Sequence, residues 1–213
     1  MPPPAEIITG LTYIANAWSG VAVAWHVAVA TLLIALMAGW RPTRRQLGVL
    51  LVLPLVSVSV FAWLAHNPFN GTVFAAAAAS LVAIAARLPD ARVRRASNPI
   101  ALLGFAMIGF GWVYPHFLEG GSSVRYLYAA PTGLIPCPTL SVAVGFALLA
   151  AGLGSRAWSA VLAATGLFYG LFGALRLGVY LDAGLIIGSV ALAVIALRPP
   201  EQGGTRAVRR GSG

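Results

Sequence analysis

The sequence predicts an all-α integral membrane protein, a bundle of seven transmembrane helices with its N-terminus outside and its C-terminus in the cytoplasm. Composition is the first observation behind this prediction, because 59% of the 213 residues are hydrophobic and only 9% are charged. Soluble domains are typically about 45–50% apolar and about 25% charged. The second observation is a series of seven apolar runs, and the third is the placement of the arginines between them.

Seven stretches of the chain are predicted to cross the membrane, since a spanning helix needs roughly 20 predominantly apolar residues. These stretches are residues 19–40, 47–66, 70–88, 100–118, 140–153, 157–177 and 183–197. The connections are short, so residues 1–198 are predicted to form a single transmembrane domain. Residues 199–213 are rich in Gly, Pro and Arg and are predicted to be a disordered cytoplasmic tail.

This arrangement sorts the fourteen basic residues, all of which are arginine. With seven alternating spans, twelve arginines lie on one side of the membrane, and only Arg125 and Arg176 lie on the other side. Cytoplasmic loops carry an excess of basic residues, so we expect a multi-pass membrane protein with the side that holds twelve arginines in the cytoplasm. Arginines in short loops suit anionic lipid, and no nucleic acid is expected as a partner. The absence of lysine excludes a retinal protein, which needs a lysine amine.

The scarce polar residues gather near the outer ends of the predicted spans, whereas the inner half is nearly all Ala, Leu, Val and Gly. Polar residues at membrane depth are costly and usually face the bundle interior or a wet cavity. The sequence therefore predicts an outward-facing polar vestibule that binds a ligand. Six residues are predicted to line it: Asn67, Tyr114, His116, Cys137, Arg176 and Asp182.

One segment, from Pro131 to Thr139, is unusually rich in proline. Its three prolines are expected to prevent regular helix through Pro138. Irregular backbone at membrane depth is tolerated only where it is buried in protein or lines a cavity. We therefore expect a short re-entrant or interfacial piece that presents Cys137 to the vestibule.

Histidine and cysteine are the candidate metal ligands, because imidazole and thiolate suit copper, zinc and iron. The candidates are His26, His66, His116 and Cys137. Two of the histidines would alternatively hold a haem, so a transition metal or a haem is the candidate cofactor. The competing interpretation is structural: a small buried cysteine, two histidines at helix ends, and a hydrogen-bonded His26 in the core.

A charged pair is predicted near the outer surface as well. Arg176 and Asp182 lie on either side of the turn between the last two predicted spans. Charges at membrane depth usually pair, so the main interpretation is a structural ion pair. The alternative is an anion or proton site.

Four motifs occur in a fixed order along the chain: Asn67-Pro68, Tyr114-Pro115, Pro131-x-Gly133-x-x-Pro136-Cys137-Pro138-Thr139, and Leu177-Gly178-x-x-x-Asp182-x-Gly184-Leu185. Over about residues 67–187 the chain resembles an uncharacterised bacterial multi-pass membrane family, domain of unknown function 6064. The resemblance implies a multi-pass protein of the bacterial inner (plasma) membrane and no established activity. It draws attention to Asn67, Tyr114, Cys137 and Asp182.

Three functions are compatible with the sequence. The first is the binding or transport of a metal ion or small solute through the vestibule. The second is a non-catalytic accessory or anchor subunit, whose partner is another membrane protein or a further copy of the chain. Short loops and smooth Ala/Gly faces favour it. The third is a membrane enzyme, or a haem or metal redox protein, with an outer-facing site of Cys137, His116 and Asp182. The clustered polar residues rank binding first.

Overall fold

The computed structural model describes residues 3–197, and in this range the chain folds into helices and their connections. The all-α prediction is confirmed. The predicted tail, residues 199–213, lies outside the described range. The α-helices are α1 (Pro4–Ala17), α2 (Ser19–Met37), α3 (Arg44–Leu50), α4 (Leu53–Leu64), α5 (Pro68–Ala86), α6 (Asn98–Val113), α7 (Tyr126–Ala129), α8 (Pro136–Leu149), α9 (Arg156–Leu171) and α10 (Ala183–Leu197). Short 3₁₀ turns cover Ser123–Arg125, Ala151–Gly154 and Tyr180–Asp182, and a π-helical turn covers Phe172–Arg176.

Five helical stretches between residues 3 and 197 are long and apolar enough to cross a membrane, rather than the predicted seven. They are Ser19–Met37, Arg44–Leu64, Pro68–Ala86, Arg156–Arg176 and Tyr180–Leu197. These stretches fit a membrane protein. The other two predicted spans, 100–118 and 140–153, correspond to the shorter apolar helices α6 and α8, of 16 and 14 residues.

Prolines and short polar residues determine where several helices begin. The Thr43 side chain accepts a hydrogen bond from the Gln46 backbone at the start of α3, and Asn67 caps α5 in the same way. The expectation that helix is excluded through Pro138 is wrong, because α8 begins at Pro136. The first backbone N–H groups of a helix have no partner within it, so prolines in the first turn sacrifice no hydrogen bond.

Helix α8 is the centre of the bundle, with 12 of its 14 residues buried. It meets α6 at two glycines. A Cβ atom added to Gly104 would lie 2.8 Å from the Gly145 carbonyl oxygen, and one added to Gly145 would lie 2.7 Å from the Gly104 carbonyl oxygen. Small residues at such positions let two backbones approach closely. In contrast, α2 buries only three of its 19 residues.

The two ends of the bundle differ in their charged residues. At one end lie two connections that we call the arginine loops, residues 38–43 and 87–97. The second loop contacts the last residue of α8, because the Ala96 backbone donates a hydrogen bond of 3.1 Å to the Leu149 carbonyl oxygen. We therefore call the end of the bundle at which α8 finishes the arginine end. Pro136, the first residue of α8, lies at the opposite end.

Candidate functional site

A buried carboxylate, that of Asp182, lies at the end of the bundle opposite the arginine loops. Asp182 is 1% exposed. The Tyr114 hydroxyl donates a hydrogen bond of 2.6 Å to one carboxylate oxygen, and the Cys137 thiol donates one of 3.1 Å to the other. Three of the six predicted vestibule residues are thus brought together from distant parts of the chain.

No cationic side chain among residues 3–197 pairs with Asp182. The predicted ion pair between Arg176 and Asp182 is therefore wrong. Arg176 is exposed at the end of the π-helical turn. The carboxylate of Asp182 points instead toward the bundle interior, where two uncharged donors satisfy it.

Glycine makes room for this carboxylate. Gly173 lies in the π-helical turn, and a Cβ atom added there would overlap the Asp182 side chain. Gly178 then takes a φ of 72°, which L side chains rarely adopt and which lets the chain turn back toward α10. The Gly173 carbonyl oxygen accepts a hydrogen bond of 2.9 Å from the Val179 backbone, which closes the turn.

The proline-rich segment delivers Cys137 to the same place. Residues 131–135 are buried and non-helical, as expected for the part of the segment that precedes Pro136. The Thr132 hydroxyl donates a hydrogen bond of 2.9 Å to the Gly111 carbonyl oxygen, and the Gly133 backbone donates one of 2.7 Å to the Thr139 hydroxyl. These bonds fix the start of α8, so Cys137 lies in its first turn and faces Asp182.

A second polar pair lies nearby and was not among the predicted site residues. The Tyr169 hydroxyl donates a hydrogen bond of 2.9 Å to the Asn70 side-chain oxygen, and both residues are buried. The side chain of Asn67 accepts a hydrogen bond of 3.1 Å from the Asn70 backbone. The signal for Tyr169 was its position inside an apolar run, where a polar residue tends to point inward.

These polar groups border a cavity of about 610 Å³, which we call the acidic cavity. Its lining includes the exposed residues Glu6 and His66 and the buried residues Asn70 and Asp182. Aromatic rings contribute much of the wall: Phe69, Phe117, Tyr169 and Phe172. Within the described part of the chain, two carboxylates and no arginine line the acidic cavity.

The six predicted vestibule residues therefore divide into three groups. Asn67, Cys137 and Asp182 line the acidic cavity, and Tyr114 lies behind it, bonded to Asp182. His116 and Arg176 do not line it.

His116 instead packs its ring edge-on against Phe117, with 4.3 Å between the ring centroids. Partial burial lowers the pKa of His116 below its usual value. The predicted enzymatic trio is accordingly incomplete, since Cys137 and Asp182 meet while His116 contacts neither.

The four candidate metal ligands do not converge. The two ring nitrogens of His26 lie 2.8 Å and 2.9 Å from the carbonyl oxygens of Ala22 and Trp112, which matches the interpretation of His26 as a hydrogen-bonded core residue. His66 and Cys137 both line the acidic cavity. Across residues 3–197, no three His, Cys, Asp or Glu side chains are grouped to hold a metal ion.

The fold and the site together define a helical chain with several apolar helices of membrane-spanning length and a buried carboxylate beside a cavity. No protein-family model, no curated protein and no solved structure matches this chain. The resemblance to domain of unknown function 6064 stays a prediction.

Proposed function

We propose that this chain is a multi-pass membrane protein that binds a small, largely apolar solute carrying a positive charge, such as a primary amine, in the acidic cavity. The observation that carries this proposal concerns Asp182, which is 1% exposed and whose two hydrogen-bond donors among residues 3–197, the Tyr114 hydroxyl and the Cys137 thiol, are both uncharged. A buried ionised carboxylate is costly unless it is paired. A cationic solute in the cavity would supply the missing partner.

The cavity walls support the same class of solute. Its volume of about 610 Å³ is within the range of about 300–1,000 Å³ that is common for small-molecule sites. The faces of aromatic rings attract cations, and Phe69, Phe172 and Tyr169 border the cavity. Glu6, exposed on α1, adds a second negative charge where the solute would enter.

A metal ion fits this cavity less well than an organic cation. Hard divalent cations need six or more oxygen ligands, and softer ones need several converging imidazoles or thiolates. The lining contains the carboxylates of Glu6 and Asp182, the imidazole of His66, the thiol of Cys137 and the amides of Asn67 and Asn70. Across residues 3–197, however, no three His, Cys, Asp or Glu side chains are grouped to hold a metal ion. Binding is the step that the geometry supports, since α8 fills the bundle centre with buried residues.

For the path through the membrane, we propose seven crossings with the arginine end in the cytoplasm of a bacterial cell. Helices α6 and α8, at 16 and 14 residues, are about 24 Å and about 21 Å long, shorter than the bilayer core of about 30 Å. A short helix is compatible with crossing where protein surrounds it, because irregular backbone at membrane depth is tolerated when buried. Residues 131–135, which precede α8, are buried in this way. The arginine distribution supports the orientation.

Substitution of Asp182 tests the binding proposal. The probes are 2-phenylethylammonium and 2-phenylethanol, which have the same phenylethyl body and differ in charge. The cation is expected to raise the thermal unfolding temperature of the purified protein, and Asp182→Asn is expected to weaken its binding at least about tenfold, as loss of a charged hydrogen bond implies. The alcohol is expected to bind weakly to both proteins.

Glu119→Gln is the matched control, because Glu119 is an exposed acidic residue outside the cavity lining. Its affinity for the cation should equal that of the unaltered protein. Equal binding of the cation and the alcohol, or equal binding by the Asp182→Asn variant, would overturn the proposal.

Cysteine labelling tests the crossings and the orientation. In a Cys137→Ala background, Ser122→Cys and Ser97→Cys place single thiols at exposed positions after and before α6. A membrane-impermeant maleimide added to intact cells should label the first and not the second. Labelling of both would show that α6 does not cross, and labelling of the second alone would show the opposite orientation.

A further inference from the structure

A second cavity, of about 410 Å³, lies at the arginine end between α2, α6 and the end of α8. Its walls are apolar, with Leu33 and Leu36 from α2 and Phe105 from α6. Among residues 3–197, its polar margin contains three arginines, Arg41, Arg94 and Arg95, and no carboxylate. We call it the basic groove.

Backbone hydrogen bonds between the two arginine loops hold this margin together. The Val93 backbone donates a hydrogen bond of 3.0 Å to the Pro42 carbonyl oxygen, and the Arg44 backbone donates one of 2.9 Å to the Ala91 carbonyl oxygen. The Arg92 guanidinium donates a further bond of 2.7 Å to the Arg41 carbonyl oxygen. The loops therefore place Arg41 beside the loop that carries Arg94 and Arg95.

We propose that the basic groove is a binding site for one anionic phospholipid, with the phosphate of its headgroup on Arg41, Arg94 and Arg95 and an acyl chain between α2 and α6. Charge complementarity carries the headgroup assignment, because guanidinium groups bind phosphate through paired charged hydrogen bonds. Arginines at a membrane surface attract anionic lipids. The proposal is independent of the solute that occupies the acidic cavity.

The packing of α2 explains why a lipid chain fits this position. Only 17% of the apolar stretch of α2 is buried, the smallest share among the five membrane-length stretches of residues 3–197. Met37, which lines the groove on α2, is 65% exposed. An acyl chain in the groove would cover apolar surface that α2 and α6 leave open between them.

Native mass spectrometry of the full chain tests the site with two lipids that share acyl chains, dioleoylphosphatidylglycerol and dioleoylphosphatidylcholine. The unaltered protein is expected to bind the anionic lipid about tenfold more tightly, from the combined attraction of several arginines. Arg94→Gln/Arg95→Gln is expected to abolish most of this preference. Arg45→Gln/Arg87→Gln removes the same charge at the same end, outside the groove lining, and should keep the preference.

A second pair of variants tests the acyl chain without altering charge. Ala101 lines the groove on α6, whereas its neighbour Leu102 is 72% exposed and lies outside the lining. Ala101→Phe should reduce the bound anionic lipid at least about fivefold by filling the groove, since close-packed space does not admit both groups. Leu102→Phe should leave it unchanged.

The proposal would be overturned by equal affinity for the two lipids, by the same loss in both double arginine variants, or by full lipid retention in Ala101→Phe. Displacement of the lipid by millimolar inorganic phosphate would also overturn it, because the site would then recognise a soluble anion. Each variant is checked for its elution volume and helical circular dichroism.

Discussion

The two ends of this bundle contain cavities of opposite electrostatic character. As far as residues 3–197 show, the acidic cavity has two carboxylates and no arginine in its lining, whereas the basic groove has three arginines and no carboxylate. The charge at the acidic end includes the buried side chain of Asp182, while Arg94 and Arg95 at the other end are exposed. A buried charge acts strongly on a nearby ligand because little solvent screens it, and exposed charges act mainly as a group.

One set of apolar helices thus provides two different kinds of site, an acidic cavity and a basic groove. At the acidic end, polar side chains point inward and bond to one another, as Tyr169 does with Asn70. At the arginine end, backbone hydrogen bonds join the two arginine loops to each other, and most arginine side chains are exposed. We therefore expect substitutions in the middle of α8 to affect both ends of the bundle, and substitutions at either end of the bundle to act locally.

The largest expected effect is that of Gly145→Val, which tests whether α8 links the two ends. Added methyl groups would press on the Gly104 carbonyl oxygen and on Ile108, and overpacking of this kind costs typically about 1–3 kcal/mol. The unfolding temperature in detergent should fall, together with both amine binding and lipid retention. Gly109→Val is the control, since a Cβ atom at Gly109 meets nothing within 4 Å. Equal unfolding temperatures for the two variants would contradict the close approach of α6 and α8.

An intermediate effect, confined to the acidic end, is expected for Cys137→Ala. This change leaves one oxygen of the buried Asp182 carboxylate without its donor, and an unsatisfied buried polar group costs about 1–3 kcal/mol. Cys137→Ser restores an O–H donor and should lose less stability in thermal unfolding. A serine variant as unstable as the alanine variant would show that packing, rather than the hydrogen bond, makes Cys137 important. Lipid retention should be unchanged in both.

The smallest effect is expected for Asp90→Asn at the arginine end. The Arg45 guanidinium lies 3.8 Å from the Asp90 carboxylate, and the two side chains are 47% and 70% exposed. Solvent-exposed pairs of this kind contribute about 0–1 kcal/mol. Thermal unfolding and amine binding should match those of the unaltered protein. A marked loss of stability would mean that the arginine end is organised by specific ion pairs rather than by its backbone hydrogen bonds.

The helices themselves were largely predictable from hydropathy. The predicted span 183–197 coincides with α10, and the span 70–88 is displaced by two residues from α5. Long apolar runs predict such helices because the backbone in lipid must satisfy its own hydrogen bonds. The prediction for the start of α8 was wrong. Proline disrupts the interior of a helix but is tolerated in the first turn, which is where Pro136 and Pro138 lie.

The candidate site was only partly predictable. Polarity within apolar runs correctly drew attention to Cys137 and Asp182, which contact each other. It did not reveal that Arg176 faces outward or that His116 packs on Phe117. Residues at the ends of helices have a broad choice of directions, and local sequence does not determine which one tertiary packing selects.

The sequence by itself determined the helical class, the approximate helix bounds and the separation of arginines from buried polar groups. Each of these depends on local composition, namely the length of the apolar runs and the residues that lie between them. Only the tertiary structure decided which polar side chains meet. The contact of Tyr114, Cys137 and Asp182 depends on how α6, α8 and α10 pack, and such packing is a property of side chains far apart in the chain. The position of the basic groove depends equally on the loose packing of α2.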